Sequence, residues 1–193
     1  MAKPSHREKI LTEGLKVVHQ RGFAGASVRD IVQAAGVPQG SFTNHFVSKE
    51  MFGLEILDLY FVNTQPTLDE TLLNEALSPL ARLRSYFDWH QQYLECGCVK
   101  IGCLYGNFAA EASEHSDIIR ARLVEIFATL QDIISHCLTA ALAAGEVRKD
   151  LDCQQTACFI VASLQGAMLV GKAQRTTASM QSLTQIVFGT VLA

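Results

Sequence analysis

One stretch constrains the chain more than any other: residues 27–50, S-V-R-D-I-V-Q-A-A-G-V-P-Q-G-S-F-T-N-H-F-V-S-K-E. Ser27 is a strong helix N-cap, and Asp30, three residues on, supplies the acidic half of a capping box. Ile31, Ala34 and Ala35 follow at helical spacing and give one apolar, closely packable face. Gly36 permits the left-handed backbone that stops a helix. Pro38 suits the first turn of a new helix, where its missing amide hydrogen costs nothing. Gly40 and Ser41 keep that helix slim, and Phe42 and Phe46, four apart, share a face. Ser48 and Glu50 mark the start of a third helix. The pattern predicts two short helices joined by a tight turn, with another following at once.

Two short helices crossing at a glycine turn make a helix-turn-helix, whose second helix can lie in the major groove of DNA. The outward face of that helix would show Gln39, Thr43, Asn44 and His45. These side chains hydrogen-bond but carry little charge, which suits base edges better than phosphates. The alternative reading of the same pattern is an ordinary helical hairpin with a polar surface.

The phrase A-S-V-R-D-I-V-Q-A-A-G-V-P-Q-G-S-F-T-N-H-F-V-S-K-E, approached by R-G-F-A-G-A-S, resembles the DNA-binding segment of TetR-type transcriptional repressors, over about residues 7–60. The resemblance implies an all-α fold. A three-helix helix-turn-helix domain, residues 1–48, would be followed by a helical effector-binding and dimerisation domain, residues 49–193. It also implies a homodimer on a palindromic double-stranded operator, released by a small hydrophobic or electrophilic effector or by cysteine modification. Lys49 looks like the family's phosphate-contacting lysine, at a helix amino end that itself attracts anions. The DNA-facing candidates are Ser27, Arg29, Pro38, Gln39, Gly40, Thr43, Asn44, His45 and Lys49. Thr43 and Asn44 stand where the family often carries aromatic or histidine side chains.

Charge gives partial support. The net charge is −3, with no global basic signature, but a DNA binder needs only a locally positive face. Lys3, Arg7, Lys9, Lys16, Arg21 and Arg29 precede residue 30, and Lys49 follows, so the pattern predicts a basic head on a neutral-to-acidic body. The start M-A-K-P-S-H-R-E is too polar for a secretory signal. No uninterrupted apolar run reaches the roughly 18–20 residues a bilayer requires. The nearest, residues 157–170, is broken by Ser163, Gln165 and Gly166. The expectation is a cytoplasmic protein with no membrane partner, whose six cysteines are thiols.

Before the central stretch, Ser5 and Glu8 form a capping box for a helix over residues 5–22. After it, a helix over residues 48–64 would run into a loop over residues 64–78, where Pro66 falls. The next helix, residues 79–95, carries Trp89, His90 and Tyr93. Aromatics this dense line either a core or a pocket wall. Helices over residues 116–144, 152–173 and 179–191 complete the chain. By resemblance the last two form the dimer interface, and a twofold dimer suits paired half-sites.

Between Cys96 and Cys103 a glycine-punctuated loop enters a helix containing Leu104 and Phe108. Cys103 would lie at that helix's amino end, where the dipole favours thiolate, with Lys100 close in sequence. The words G-C-L and A-A-E-A are similar to a turn in the branch of the family that holds an N-ethylmaleimide-responsive repressor, which implies electrophile sensing at Cys103. The other reading is a small buried hydrophobe. The candidate effector residues are Cys103, Trp89, His90, Tyr93, Phe108 and Met168. Cys96, Cys98, Cys103 and His90 lack a second paired cluster, so no metal site is assigned, and no cofactor is expected. The chain holds no G-x-S-x-G, P-loop, H-E-x-x-H or paired C-x-x-C, and no enzymatic role is expected. The competing function is a helical dimeric adaptor that does not bind DNA.

Overall fold

The structure, a computed structural model, describes residues 5–193; Lys3, counted above in the basic head, lies outside them. Among the described residues there are only helices and connections: α1 (His6–Arg21), α2 (Val28–Ala34), α3 (Gly40–His45), α4 (Lys49–Glu70), α5 (Pro79–Glu95), α6 (Leu104–Ala112), α7 (Asp117–Ala143), α8 (Cys153–Gln174) and α9 (Ala178–Ile186). A 3-10 turn, Cys98–Lys100, precedes α6, and a π turn, Val187–Val191, follows α9. The chain divides into two compact units. One holds the described residues through Asn63 with Leu104–Val124; the other holds Thr64–Cys103 with Glu125–Ala193.

The first unit is built by its caps and a phenylalanine plate. Ser5 Oγ accepts from the Glu8 amide at 3.2 Å, while Glu8 accepts from the Ser5 amide at 2.7 Å. The same reciprocal box joins Ser27 and Asp30 at the start of α2. Serine hydrogen bonds hold both carboxyl groups below their ordinary pKa. Gly36, at φ 63°, turns the chain out of α2, and the Val37 amide reaches back to Val32 O at 3.1 Å. Phe42, Phe46 and Phe52 are buried, with ring centroids 5.1–5.3 Å apart. Ile10, Val18 and Ile31 complete that core.

The unit extends beyond residue 48, the domain boundary expected from the sequence. Phe108 of α6 stacks on Phe23, with centroids 4.9 Å apart, and Ser116, the cap of α7, donates to Glu50. Arg122 of α7 pairs with Asp58 of α4 at 2.7 Å. These long-range contacts tie α6 and the first turns of α7 to the helices that precede them.

α4 continues to Glu70, through Pro66, where the sequence pattern suggests a loop. Proline removes one amide hydrogen from the helix ladder. The residue four back is Val62, 62% exposed, so water can serve a carbonyl there. The buried side chain of Leu68 anchors the final turn.

In the second unit, Pro79 opens α5, and the Leu80 amide donates to Glu146 at 2.7 Å. Leu83, Phe87, Leu94, Ile134, Leu138, Ile160, Leu164, Met180 and Val187 are core residues here. The expected terminal helix is interrupted, because α9 gives way to the π turn after Ile186. By length and composition alone, α7 and α8 are apolar enough to cross a membrane, with mean hydropathy 1.4. Both helices are interrupted by polar residues, such as Gln131 and His136 in α7 and Ser163 and Gln165 in α8, so neither is the uninterrupted apolar run considered in the sequence. Core stripes such as Ile126, Leu130 and Ile134 supply much of that hydropathy.

Candidate nucleic-acid interface

α3 divides cleanly into an inner and an outer face. Ser41 and Phe42 are buried, as is Phe46 just beyond, while Thr43, Asn44 and His45 are exposed. Gln39, Gly40 and Pro38 are exposed at its start. The helix begins at Gly40 with Gln39 as its N-cap, so Pro38 precedes the first turn instead of lying in it. The Pro38 carbonyl nonetheless accepts from the Ser41 amide at 2.9 Å. Thr43 donates its hydroxyl proton to Gly40 O at 3.1 Å, which leaves its oxygen as an acceptor. Asn44 and His45 stand next to it, so the outer face offers both donors and acceptors. Ser27 and Arg29 are exposed at the start of α2.

The basic head is less free than its composition suggests. Arg7 pairs with Glu55 at 2.5 Å, Lys16 with Glu13 at 2.8 Å and Arg21 with Asp30 at 2.7 Å. Among the described residues, Arg29 and Lys9 have no ion-pair partner, and of these two Arg29 is the more exposed. Lys49 is half-buried at the start of α4. Its Nζ donates to Ala24 O at 3.4 Å and lies 4.8 Å from the Phe23 ring centroid. Burial lowers its pKa, and the nearby charge of Glu111 works against that shift.

The turn between α1 and α2 receives its other tether from Glu111 of α6. This carboxylate accepts from the Ala24 amide at 3.0 Å. It stands where a side chain on Gly22 would begin: a Cβ there would meet Glu111 Oε1 at 2.4 Å. Gly22 itself has φ 81° and ψ 159°, a region essentially restricted to glycine. Nothing in the pattern around residue 111 signals this contact, because its partner lies 87 residues earlier.

The comparisons with known proteins agree with this geometry. Residues 10–56 match the family described as "Bacterial regulatory proteins, tetR family". Residues 79–187 match "Tetracyclin repressor-like, C-terminal domain". The chain belongs to the TetR family. It is a DNA-binding transcriptional repressor, 36% identical over 192 residues to the HTH-type transcriptional repressor DhaR of Mycobacterium sp. strain GP1. That match covers 100% of this chain and 95% of DhaR. The crystal structure of a regulatory protein TetR from Rhodobacter sphaeroides superposes with a TM-score of 0.90 at 29% identity, covering 97% of this chain and 99% of that one. The reduced form of NemR from E. coli superposes with a TM-score of 0.81 at 25% identity, covering 97% and 98%.

The structure groups only some of the repressor's effector candidates. Trp89 and Tyr93 stack on α5 with centroids 5.3 Å apart and planes 10° apart. His90 meets the edges of Trp89 and Tyr86 at 5.1 and 4.4 Å. Its Nδ1–H donates to Tyr86 O at 2.8 Å, and burial lowers its pKa to about 4. Met168 is buried on α8, and Phe108 is fully buried against Phe23 in the first unit. Cys103 is half-buried immediately before α6, as the sequence suggests. Of the other thiols, Cys137 is buried, donates to Pro79 O, and has its pKa raised by that burial, so it is a poor nucleophile. An open cleft of about 440 Å³ in the second unit is lined by Ser78, Leu80, Ala81, Arg84, Glu146 and Phe188, none of them an effector candidate.

Proposed function

We propose that the repressor acts in the cytoplasm as a homodimer that places two copies of α3 in successive major grooves of a palindromic operator. The observation that carries this reading is α3 itself. Its inner face is locked by the phenylalanine plate, and its outer face holds only hydrogen-bonding side chains. Asn44 is the natural reader of an adenine edge, and His45 and Gln39 can reach neighbouring bases. Arg29 and the amino end of α4 at Lys49 serve the phosphates and set the register. Dimerisation runs through α8 and α9. There Phe159, Leu169, Val170 and Ile186 are 46, 62, 44 and 53% exposed, an unusual load of uncovered apolar surface for adjacent helices.

In the same reading, residues 1–48, joined by Lys49, contact DNA, while the rest of residues 49–193 pair the subunits and bind the effector. The effector is a small hydrophobic or electrophilic molecule, and Trp89, His90, Tyr93 and Met168 supply its contacts. An activated alkene would be captured by the Cys103 thiolate. A C–S bond forms at the β-carbon, the carbon–carbon π pair moves to the α-carbon, and that carbon takes a proton. Release then requires the effector to favour a state of the dimer that fits DNA poorly.

Fluorescence anisotropy tests the reading, using a duplex enriched from a random-sequence pool by the wild-type protein. Tight, salt-sensitive binding is expected, lost on N-ethylmaleimide treatment in the wild type and retained in Cys103→Ser. Equal loss in both proteins removes Cys103 from the mechanism. Failure to enrich any duplex favours the adaptor. Sedimentation as a single 21.1 kDa species would remove the dimer.

A further inference from the structure

We propose that Glu111 is a positioning residue for DNA binding, whose carboxylate fixes the α1–α2 turn and the Lys49 side chain so that α2 and α3 are presented at one angle. The proposal rests on the DNA-binding reading of α3 and adds a residue to it.

The turn over residues 22–26 is short, yet it is tethered from outside on both sides of one residue. The Ala24 amide donates to Glu111 at 3.0 Å, and the Ala24 carbonyl accepts from Lys49 at 3.4 Å. Ala24 is exposed, so water could satisfy both groups, and burial does not demand these bonds. What the two charged side chains add is a fixed position. Phe23, the residue before Ala24, lies under the Lys49 ammonium at 4.8 Å and against Phe108 at 4.9 Å. Phe108 stands one helical turn before Glu111 on α6, so ring and carboxylate grip the turn from the same helix. Gly22 leaves room for the carboxylate and for little else.

The far end of the turn is equally defined. The Ala26 amide donates to Gly22 O at 3.1 Å, Ser27 caps α2, and Arg21 pairs with Asp30 at 2.7 Å. Displacing Ala24 therefore displaces the start of α2, and α3 follows through the Gly36 turn. A bond that only stabilised the fold would change the melting temperature and leave the folded protein's affinity for DNA intact. A positioning bond changes that affinity well below the melting temperature.

The test compares wild type, Glu111→Gln and Glu111→Ala on the enriched duplex, with hydrogen exchange followed over residues 22–27. Glutamine keeps an oxygen to accept from Ala24. Glu111→Ala should lose affinity about tenfold, the scale of one charge-assisted hydrogen bond, and exchange faster over residues 22–27. Glu111→Gln should keep most of both properties, within about threefold of wild type, because the bond survives. Unchanged affinity in Glu111→Ala overturns the proposal, as does unchanged exchange over residues 22–27. A glutamine variant as weak as the alanine variant, with wild-type exchange, overturns it too. If wild type enriches no duplex, the DNA reading fails and the proposal falls with it; that result is distinct from binding that is indifferent to residue 111.

Discussion

α3 in the first unit and the α8–α9 pair in the second meet water in opposite ways. α3 turns Phe42 inward, against Phe46 and Phe52, and shows Thr43, Asn44 and His45 to water. The second leaves Phe159, Leu169, Val170 and Ile186 uncovered on its last helices. A surface of the first kind needs no apolar partner and is made for a hydrated polyanion. A surface of the second kind is incomplete until another apolar face covers it. The difference is the one the proposed function draws on: nucleic acid at the polar face of α3, a second copy at the apolar face of α8 and α9.

Core truncation probes the contrast most strongly. Phe52 is fully buried under two other rings, so Phe52→Ala should cost about 3–5 kcal/mol by transfer loss and cavity formation. Urea unfolding measures it, and a cost near 1 kcal/mol would mean that the plate is not the centre of the first unit.

The two glycine turns sharpen the picture inside that unit. Gly36 has open space around the position of a Cβ, so Gly36→Ala should cost about 1 kcal/mol, for the left-handed backbone alone. Gly22→Ala should cost about 3 kcal/mol, because it adds a less tolerant backbone region and expels Glu111. In a Glu111→Ala background the excess should shrink. Equal costs for the two glycines would show that Glu111 yields freely.

A smaller effect belongs to the second unit. The folded pKa of His90 is depressed to about 4, from an ordinary 6.5. The unfolded chain therefore binds the proton first, and stability falls as pH drops from about 6.5 towards 4, with no contribution above that window. Allowing for partial exposure, the loss should approach about 2 kcal/mol at the acid end. In thermal melts across this window, wild type should lose stability with falling pH more steeply than His90→Phe. An unchanged acid dependence in the variant would place the sensitivity elsewhere.

Much of the first unit was legible because its signals are local. Ser5 with Glu8, Ser27 with Asp30, and Gly36 lie within one turn of what they control, so the helices and the outward face of α3 could be read directly. Pro79 and Ser116 marked helix starts in the same way. Pro66 misled, because proline is a reliable breaker only where the carbonyl it orphans is denied water. The basic head misled through composition: Arg7, Lys16 and Arg21 are spent on carboxylates inside their own unit. Glu111 was invisible, since a hydrogen bond spanning 87 residues leaves no pattern in either segment. The effector candidates were legible only as aromatic density on α5, and Phe108, drawn from the same kind of pattern, packs on Phe23 instead.

The most direct measurement is discrimination by α3. The affinity of the enriched duplex is compared with that of a shuffled duplex, at one salt concentration, for wild type and for a variant with Thr43, Asn44 and His45 all changed to alanine. Wild type should prefer the enriched duplex by about 10³-fold or more, and the variant should bind both at the weak, shared level of phosphate contacts while melting at the wild-type temperature. A variant that still tells the two duplexes apart by the wild-type ratio would mean that another surface reads the DNA.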